Sequence, residues 1–126
     1  MKKEGLSKKE RIRKNREFER VFKEGKKIWV DKLVLIIYAP NDLGFRRLGI
    51  VVSKKVGKAT KRNKLKRWIR EVFRRNKDWF PESSDIIIIP HPSLLEKSYH
   101  ELLEGIKKKL LSSRKGQNFH DKKAYC

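Results

Sequence analysis

The chain has 126 residues, the size of one domain, and its apolar residues, 37% of the total, gather in short blocks that favour a folded core over disorder. Its 35 Lys and Arg against 15 Asp and Glu leave a formal charge of +20, which repels itself in the free protein and selects polyanionic partners, nucleic acid first among them. No apolar run approaches membrane-spanning length, no apolar core follows the basic Met1-Lys2-Lys3, and Cys126 is the single cysteine, so no membrane span, secretory leader, internal disulfide or cysteine-held zinc is expected, and the expected compartment is the cytoplasm.

Residues 1–14 form a basic arm whose apolar exceptions are Leu6 and Ile12, either mobile in the free state or laid along a surface. Asn15 is placed to cap a helix over 16–24, where Phe18, Val21 and Phe22 share one face and Gly25 is a stop. Residues 28–39 carry two apolar blocks interrupted by Asp31-Lys32, read as two short strands or one bulged strand. Pro40 to Gly44 is turn chemistry, and Leu48 to Val52 reads as the next, antiparallel strand. After Gly57 a long helix is predicted over 59–76. Ile86 to Ile89 shows no polar alternation, which predicts a strand covered on both faces. Ser98 with Glu101 is a capping-box pattern that opens a last helix with Leu102, Leu103, Ile106 and Leu110 on one side. The expectation is a single domain over 1–111, with 112–126 a flexible polar tail. Helix, two or three strands, helix, strand, helix is an α+β order, one small sheet with helices packed on it.

The segment Ser53–Arg75 contains eleven Lys or Arg and one acid, Glu71. Leu65, Trp68, Ile69, Val72 and Phe73 make an apolar stripe for docking on a sheet. Arg62, Lys66, Arg70 and Arg74 recur every four residues beside it, with Arg67 close by. Like charges at that spacing disfavour an isolated helix, and solvated helix faces usually mix signs, so this column is read as a phosphate-contacting face. The preceding loop adds Lys54, Lys55 and Lys58, and Gly57 permits a turn or close approach of a phosphate.

At this segment the chain resembles the bacterial ribonuclease P proteins. Ser53-Lys54-Lys55-Val56-Gly57 matches a Ser-Lys-Lys-x-Gly loop, and Arg62-Asn63-Lys64-Leu65-Lys66-Arg67 followed by Arg70-Glu71 matches an Arg-Asn-Arg-x-Lys-Arg helix. Glu17-Phe18 with Val21-Phe22 is similar to the family's first helix, and the resemblance spans residues 6–111. It implies the order α-β-β-β-α-β-α in one small mixed sheet, with a left-handed β-α-β crossover that general topology disfavours. It also implies a protein subunit that binds the catalytic RNA of ribonuclease P and the 5′ leader of precursor tRNA, one protein per RNA, with magnesium held by the RNA and no cofactor bound by the protein alone. The RNA-contacting set carried over is Lys54, Lys55, Arg62, Asn63, Lys64, Lys66, Arg67 and Arg70. The leader cleft carried over is Phe18, Phe22, Ile36 and Ile88. Lys64 replaces the motif's second Arg, which keeps the charge and loses the bidentate fork, and Ile36 stands where some members have an aromatic.

Phe18, Val21 and Phe22 on helical spacing alone read as core, as do Trp68 and Phe73, while Trp29 and Trp79, beside polar or turn residues, are read as packing in preference to half-exposed. His91, His100 and His120 show no ligand spacing, and Asp31, Asp42, Asp78 and Asp85 are isolated, so no residue is assigned a catalytic role and the chemistry of the resemblance is expected from RNA. Two other classes compete. A structural protein of the ribosome would bind ribosomal RNA and ignore a 5′ leader, and a duplex-DNA reader would show base-pair sequence preference.

Overall fold

The apolar blocks of the sequence meet in one four-stranded sheet, and its two faces are covered unequally. The computed structural model describes the backbone of residues 8–120 and the side chains of residues 8–112; residues 1–7 of the basic arm and 121–126 of the polar tail lie outside the described residues. Helix α1 is Asn15–Glu24, followed by strands β1 (Lys26–Val30), β2 (Val34–Pro40) and β3 (Arg47–Ile50), helix α2 (Ala59–Arg75), strand β4 (Ser84–Pro90) and helix α3 (Tyr99–His120). The α-β-β-β-α-β-α order and the mixed sheet are those expected.

The block at 28–39 is two strands. Asp31 takes a left-handed conformation (φ 45°), and the Leu33 amide closes the turn on the Val30 carbonyl at 2.9 Å. The sheet order is β1-β2-β4-β3, with β1/β2 and β2/β4 antiparallel and β3/β4 parallel. β3 therefore runs antiparallel to β2 without pairing with it, because β4 returns through α2 and inserts between them. The 41–46 connection is too wide and irregular for a tight hairpin: Asp42 and Gly44 both take positive φ, and Asn41 accepts a bond from the Leu43 amide at 2.8 Å.

Side chains of alternate strand residues point to opposite faces. On one face Val34, Ile36, Ile86 and Ile88 join Leu65, Ile69, Val72 and Phe73 of α2 and Leu102, Ile106 and Leu110 of α3 in the main core, all nearly or wholly inaccessible. On the other, Ile37, Ala39 and Ile87 pack with Val21 of α1 and Ile12 of the arm in a smaller core. Gly49 belongs to this second layer. A Cβ there would lie 2.6 Å from the Phe18 ring, so only glycine lets α1 sit this low.

Two local readings change, and one of the two alternatives for the arm is selected. Asn15 is the first residue of α1, not its cap. Lys14 takes the cap position, and Glu17 reaches back to accept the Lys14 and Arg13 amides at 3.2 Å each. Arg11 and Ile12 lie along the free edge of β3, with a parallel bridge from Arg11 to Leu48 and a bond from the Ile12 amide to the Leu48 carbonyl at 3.0 Å. The described part of the arm is thus the surface-laid alternative, anchored by the buried Ile12. Helix α3 opens on the predicted capping box, Ser98 to Glu101, and stays helical to His120, past residue 112 where an irregular tail was expected. Once nucleated by its apolar first turns, a helix propagates at little cost through the Ser, Arg, Lys and Gln that follow.

Candidate nucleic-acid interface

Helix α2 is divided by its own periodicity. Leu65, Ile69, Val72 and Phe73 point into the core, which turns the cationic side of the helix outward. At about 100° per residue, Lys66, Arg70, Asn63 and Arg67 share the flank beyond Phe73, with Arg62 one turn before Lys66 at the edge of the apolar stripe. None of these four cations has an acidic partner among the described residues, and Asn63 is exposed. Arg62 donates from Nε to the Gly57 carbonyl at 3.0 Å, which ties the loop to the helix while the charge stays uncompensated.

One member of the predicted column, Arg74, and one of the carried-over RNA-contacting set, Lys64, differ. Glu71 accepts from Arg74 at 2.7 and 3.3 Å and also pairs with Arg75, so Arg74 is neutralised within the chain. These arginines hold the Glu71 carboxyl below its ordinary value. Lys64 falls on the opposite flank, its Nζ 5.0 Å from the centroid of the Trp68 ring, and so is not brought together with the others.

The loop before α2 is a pinned turn. Val56 is buried in the main core, the Ser53 hydroxyl accepts the Lys55 amide at 3.0 Å, and Gly57 has φ 147°, a conformation that strains any side chain. With Val56 inward, Lys54 and Lys55 are left exposed beside the N-terminus of α2.

On the other face α1 leaves part of the sheet open. Cross-strand pairing aligns Trp29 with Leu35 and Leu35 with Ile89, and the Val51 amide bonds the Ile88 carbonyl just beyond β3. Leu35, Ile89 and Val51 are half-buried, Trp29 is 59% exposed, and Phe22 of α1 is 41% exposed. Phe18 lies one turn before Phe22, its ring seated on Gly49. Phe18, Leu35, Val51 and Ile89 thus form the floor of a partly open apolar cleft, and Phe22 and Trp29 present exposed aromatic faces.

Ile36 and Ile88 do not line it. They pair with each other on the opposite face, 1% and 0% exposed under α2 and α3. Their neighbours Leu35 and Ile89 occupy the cleft, since a shift of one residue along a strand reverses the face. Trp29 takes the exposed of its two readings, not the packing role preferred for it. The alternation Lys27-Ile28-Trp29-Val30 carries the signal, with Ile28 and Val30 directed to the main core and Trp29 away from it.

The distance of α1 from the sheet is set by a buried carboxylate. Asp85 is fully inaccessible and accepts from Arg47 at 2.8 and 2.7 Å, from Arg20 at 2.9 Å and from Asn41 at 2.9 Å. Burial alone would raise its pKa; the bonds from Arg47, Asn41 and Arg20 outweigh that and hold the carboxyl below its ordinary value. Arg20 also bonds the Pro40 carbonyl at 3.1 Å, and Arg47 bonds Glu17 at 3.2 Å, so α1, β3, β4 and the 41–46 loop are fastened at one point. Nothing in the sequence joined these residues, which lie 38 to 65 positions apart. Among the described residues no three His, Cys, Asp or Glu side chains gather as a metal site, and no helix is long and apolar enough to cross a membrane.

A family model described as Ribonuclease P matches residues 6–114. The ribonuclease P protein component of Thermotoga maritima is 45% identical over 109 residues, covering 86% of this chain and 92% of that one. That of Syntrophus aciditrophicus is 44% identical over 102 residues, covering 81% and 85%. Among solved structures, the Staphylococcus aureus RNase P protein superposes with a TM-score of 0.75 at 32% identity, over 83% of this chain and 95% of that one. The Thermotoga maritima RNase P protein gives 0.69 at 42% identity, over 82% and 94%.

Proposed function

Because this chain belongs to the ribonuclease P protein family, we propose that its two exposed features divide the work of that ribonucleoprotein: α2 and its loop grip the RNA subunit, and the apolar cleft holds the 5′ leader of precursor tRNA. Partnership with an RNA subunit and a role in tRNA 5′ processing come with the family. The division of labour rests on one observation above all: Lys54, Lys55, Arg62, Lys66, Arg67 and Arg70 have no acidic partner among the described residues, whereas Arg20, Arg47, Arg74, Arg75 and Lys77 are each paired with a carboxylate.

The physical action is charge screening and strand holding. Four cations on the α2 flank in contact with single-stranded phosphates contribute a slope of about −2.8 to log K against log salt. Trp29 and Phe22 offer ring faces that any base can stack on, which suits leaders of varying sequence, at about 1–3 kcal/mol per base. Hydrolysis is assigned to the RNA subunit with magnesium held by RNA oxygens. Among the described residues no three metal-ligating side chains gather, and Asp85 and Glu71 are committed to arginines. One protein serves each RNA, in the cytoplasm.

The test is precursor-tRNA cleavage by the cognate RNA at magnesium too low for the RNA alone. Addition of the protein is expected to restore cleavage, and precursor tRNA is expected to bind the assembled enzyme more tightly than mature tRNA. Absence of rescue rejects the reading; rescue without discrimination between precursor and mature tRNA rejects the leader cleft alone.

A further inference from the structure

A second cationic site lies beside the α2 flank, where the arm, the first turn of α1 and β3 meet. Lys8, Lys9, Arg11, Arg13, Lys14 and Arg47 surround a pocket of about 530 Å³, with Glu17 the one acid on its wall. Glu17 is already saturated by the Arg13 and Lys14 amides and by Arg47, and Arg47 by Asp85. That leaves five cations with no acidic partner among the described residues, although Lys9 lies 5.1 Å over the Phe45 ring.

These cations are held, not trailing. Ile12 is 6% exposed, Arg11 is bridged to Leu48, and Glu10 pairs with Lys77 just beyond α2. A solvated basic tail would keep its charges apart, whereas this arm is fastened with them together, so ordering them costs a ligand little further entropy. The pocket also adjoins α2: partial burial first, then the charges of Arg11 and Arg67, depress the Arg70 guanidinium below its ordinary pKa.

We propose that this pocket is a phosphate-binding site for the RNA subunit, so that one RNA backbone runs from the α2 flank through Arg70 and Arg11 onto the arm. The proposal rests on the RNA-gripping role given to α2. It adds Lys8, Arg11 and Arg13 as contacts and gives the arm a function separate from the leader cleft.

The experiment compares full-length protein with the variant Lys8→Gln/Arg11→Gln/Arg13→Gln, binding the ribonuclease P RNA across a salt series. A control variant, Lys107→Gln/Lys108→Gln/Lys109→Gln, removes equal charge from the exposed side of α3. The arm variant is expected to lose about 2 from the salt slope, three phosphates at about 0.7 each. If affinities converge at 1 M salt, that is about a hundredfold weaker binding at 0.1 M. The control is expected to keep the parent slope. Lys8→Arg/Arg11→Lys/Arg13→Lys is expected to restore the slope, since the site reads charge, and circular dichroism of all variants should match the parent. An arm variant that tracks the control overturns the site. A loss confined to precursor tRNA, with the RNA subunit bound normally, overturns the assigned occupant. If the parent protein itself fails to bind the RNA, the underlying reading fails instead.

Discussion

The two faces of one small sheet are finished differently. Beneath α2 and α3, Ile36, Ile86 and Ile88 are sealed by two long helices. Beneath α1, a helix of ten residues, Ile37 and Ile87 are sealed while the row from Trp29 through Leu35 and Ile89 to Val51 stays partly open. Four strands need two helices to cover a face. Placing two on one side and one on the other separates a face that supplies stability from a face left free to bind. The cations follow the same division of space: the α2 flank turns outward because its opposite side is the sealed core.

The largest test of this asymmetry addresses the fastening of the half-covered face. Asp85→Asn leaves Arg47, only 16% exposed, without its main counter-charge, and is expected to cost about 3 kcal/mol in urea unfolding. The pH dependence follows from the sign of the shift. With its carboxyl pKa lowered in the fold and about 3.9 when unfolded, Asp85 contributes fully above that unfolded value. The contribution is lost as pH falls through the lower, folded one. Parent and variant stabilities should therefore converge below about pH 4. A constant gap down to pH 2 would remove the network from the account of α1 placement.

The next test compares adjacent residues of one strand. Ile88→Ala opens a cavity in the sealed core and is expected to cost about 2–4 kcal/mol. Ile89→Ala trims a half-open surface and is expected to cost under about 1 kcal/mol. Equal losses would mean that the two faces are equally closed. Trp29→Ala and Phe22→Ala reverse the pattern: each is expected to leave unfolding nearly unchanged and to weaken binding of precursor over mature tRNA by about 1–3 kcal/mol. Loss of stability in place of loss of discrimination would return both rings to a packing role.

The same pair of residues marks where sequence reasoning succeeds and where it stops. In α2 the 3.6-residue period places Lys66 and Arg70 on the flank beside Leu65, Ile69 and Val72, so both the core side and the cationic side are legible, as is the capping box of α3. In β4 the run Ile86 to Ile89 announces a buried strand and erases the period-2 signal, because all four residues are alike. The only break in the run's symmetry is Asp85, which shares a face with Ile87 and Ile89. Its partners Arg20, Arg47 and Asn41 come from distant segments, so their meeting is a product of the tertiary fold. The insertion of β4 between β2 and β3 was hidden for a related reason: parallel pairing leaves no turn signature between partners. The docked arm offered only Ile12 among charges, a single apolar residue with no period to read.

The smallest stability effect should carry the most informative change in binding. Glu71 is the one acid in the basic helix, and it holds Arg74 and Arg75 in pairs on a partly exposed surface. Such pairs are each worth about 0.3–0.5 kcal/mol, so Glu71→Gln should shift stability by less than about 1 kcal/mol. It releases two cations, one of them on the flank that already carries Arg62, Lys66 and Arg70. If that flank meets the phosphates of the RNA subunit, the variant should bind it more tightly at low salt, with a slope steeper by about 0.7 to 1.4 as one or both arginines engage. If the flank merely faces solvent, releasing Arg74 and Arg75 adds like-charge repulsion and changes no slope. Salt titration of parent and Glu71→Gln side by side distinguishes the two, because a gain in binding cannot be mistaken for damage to the fold.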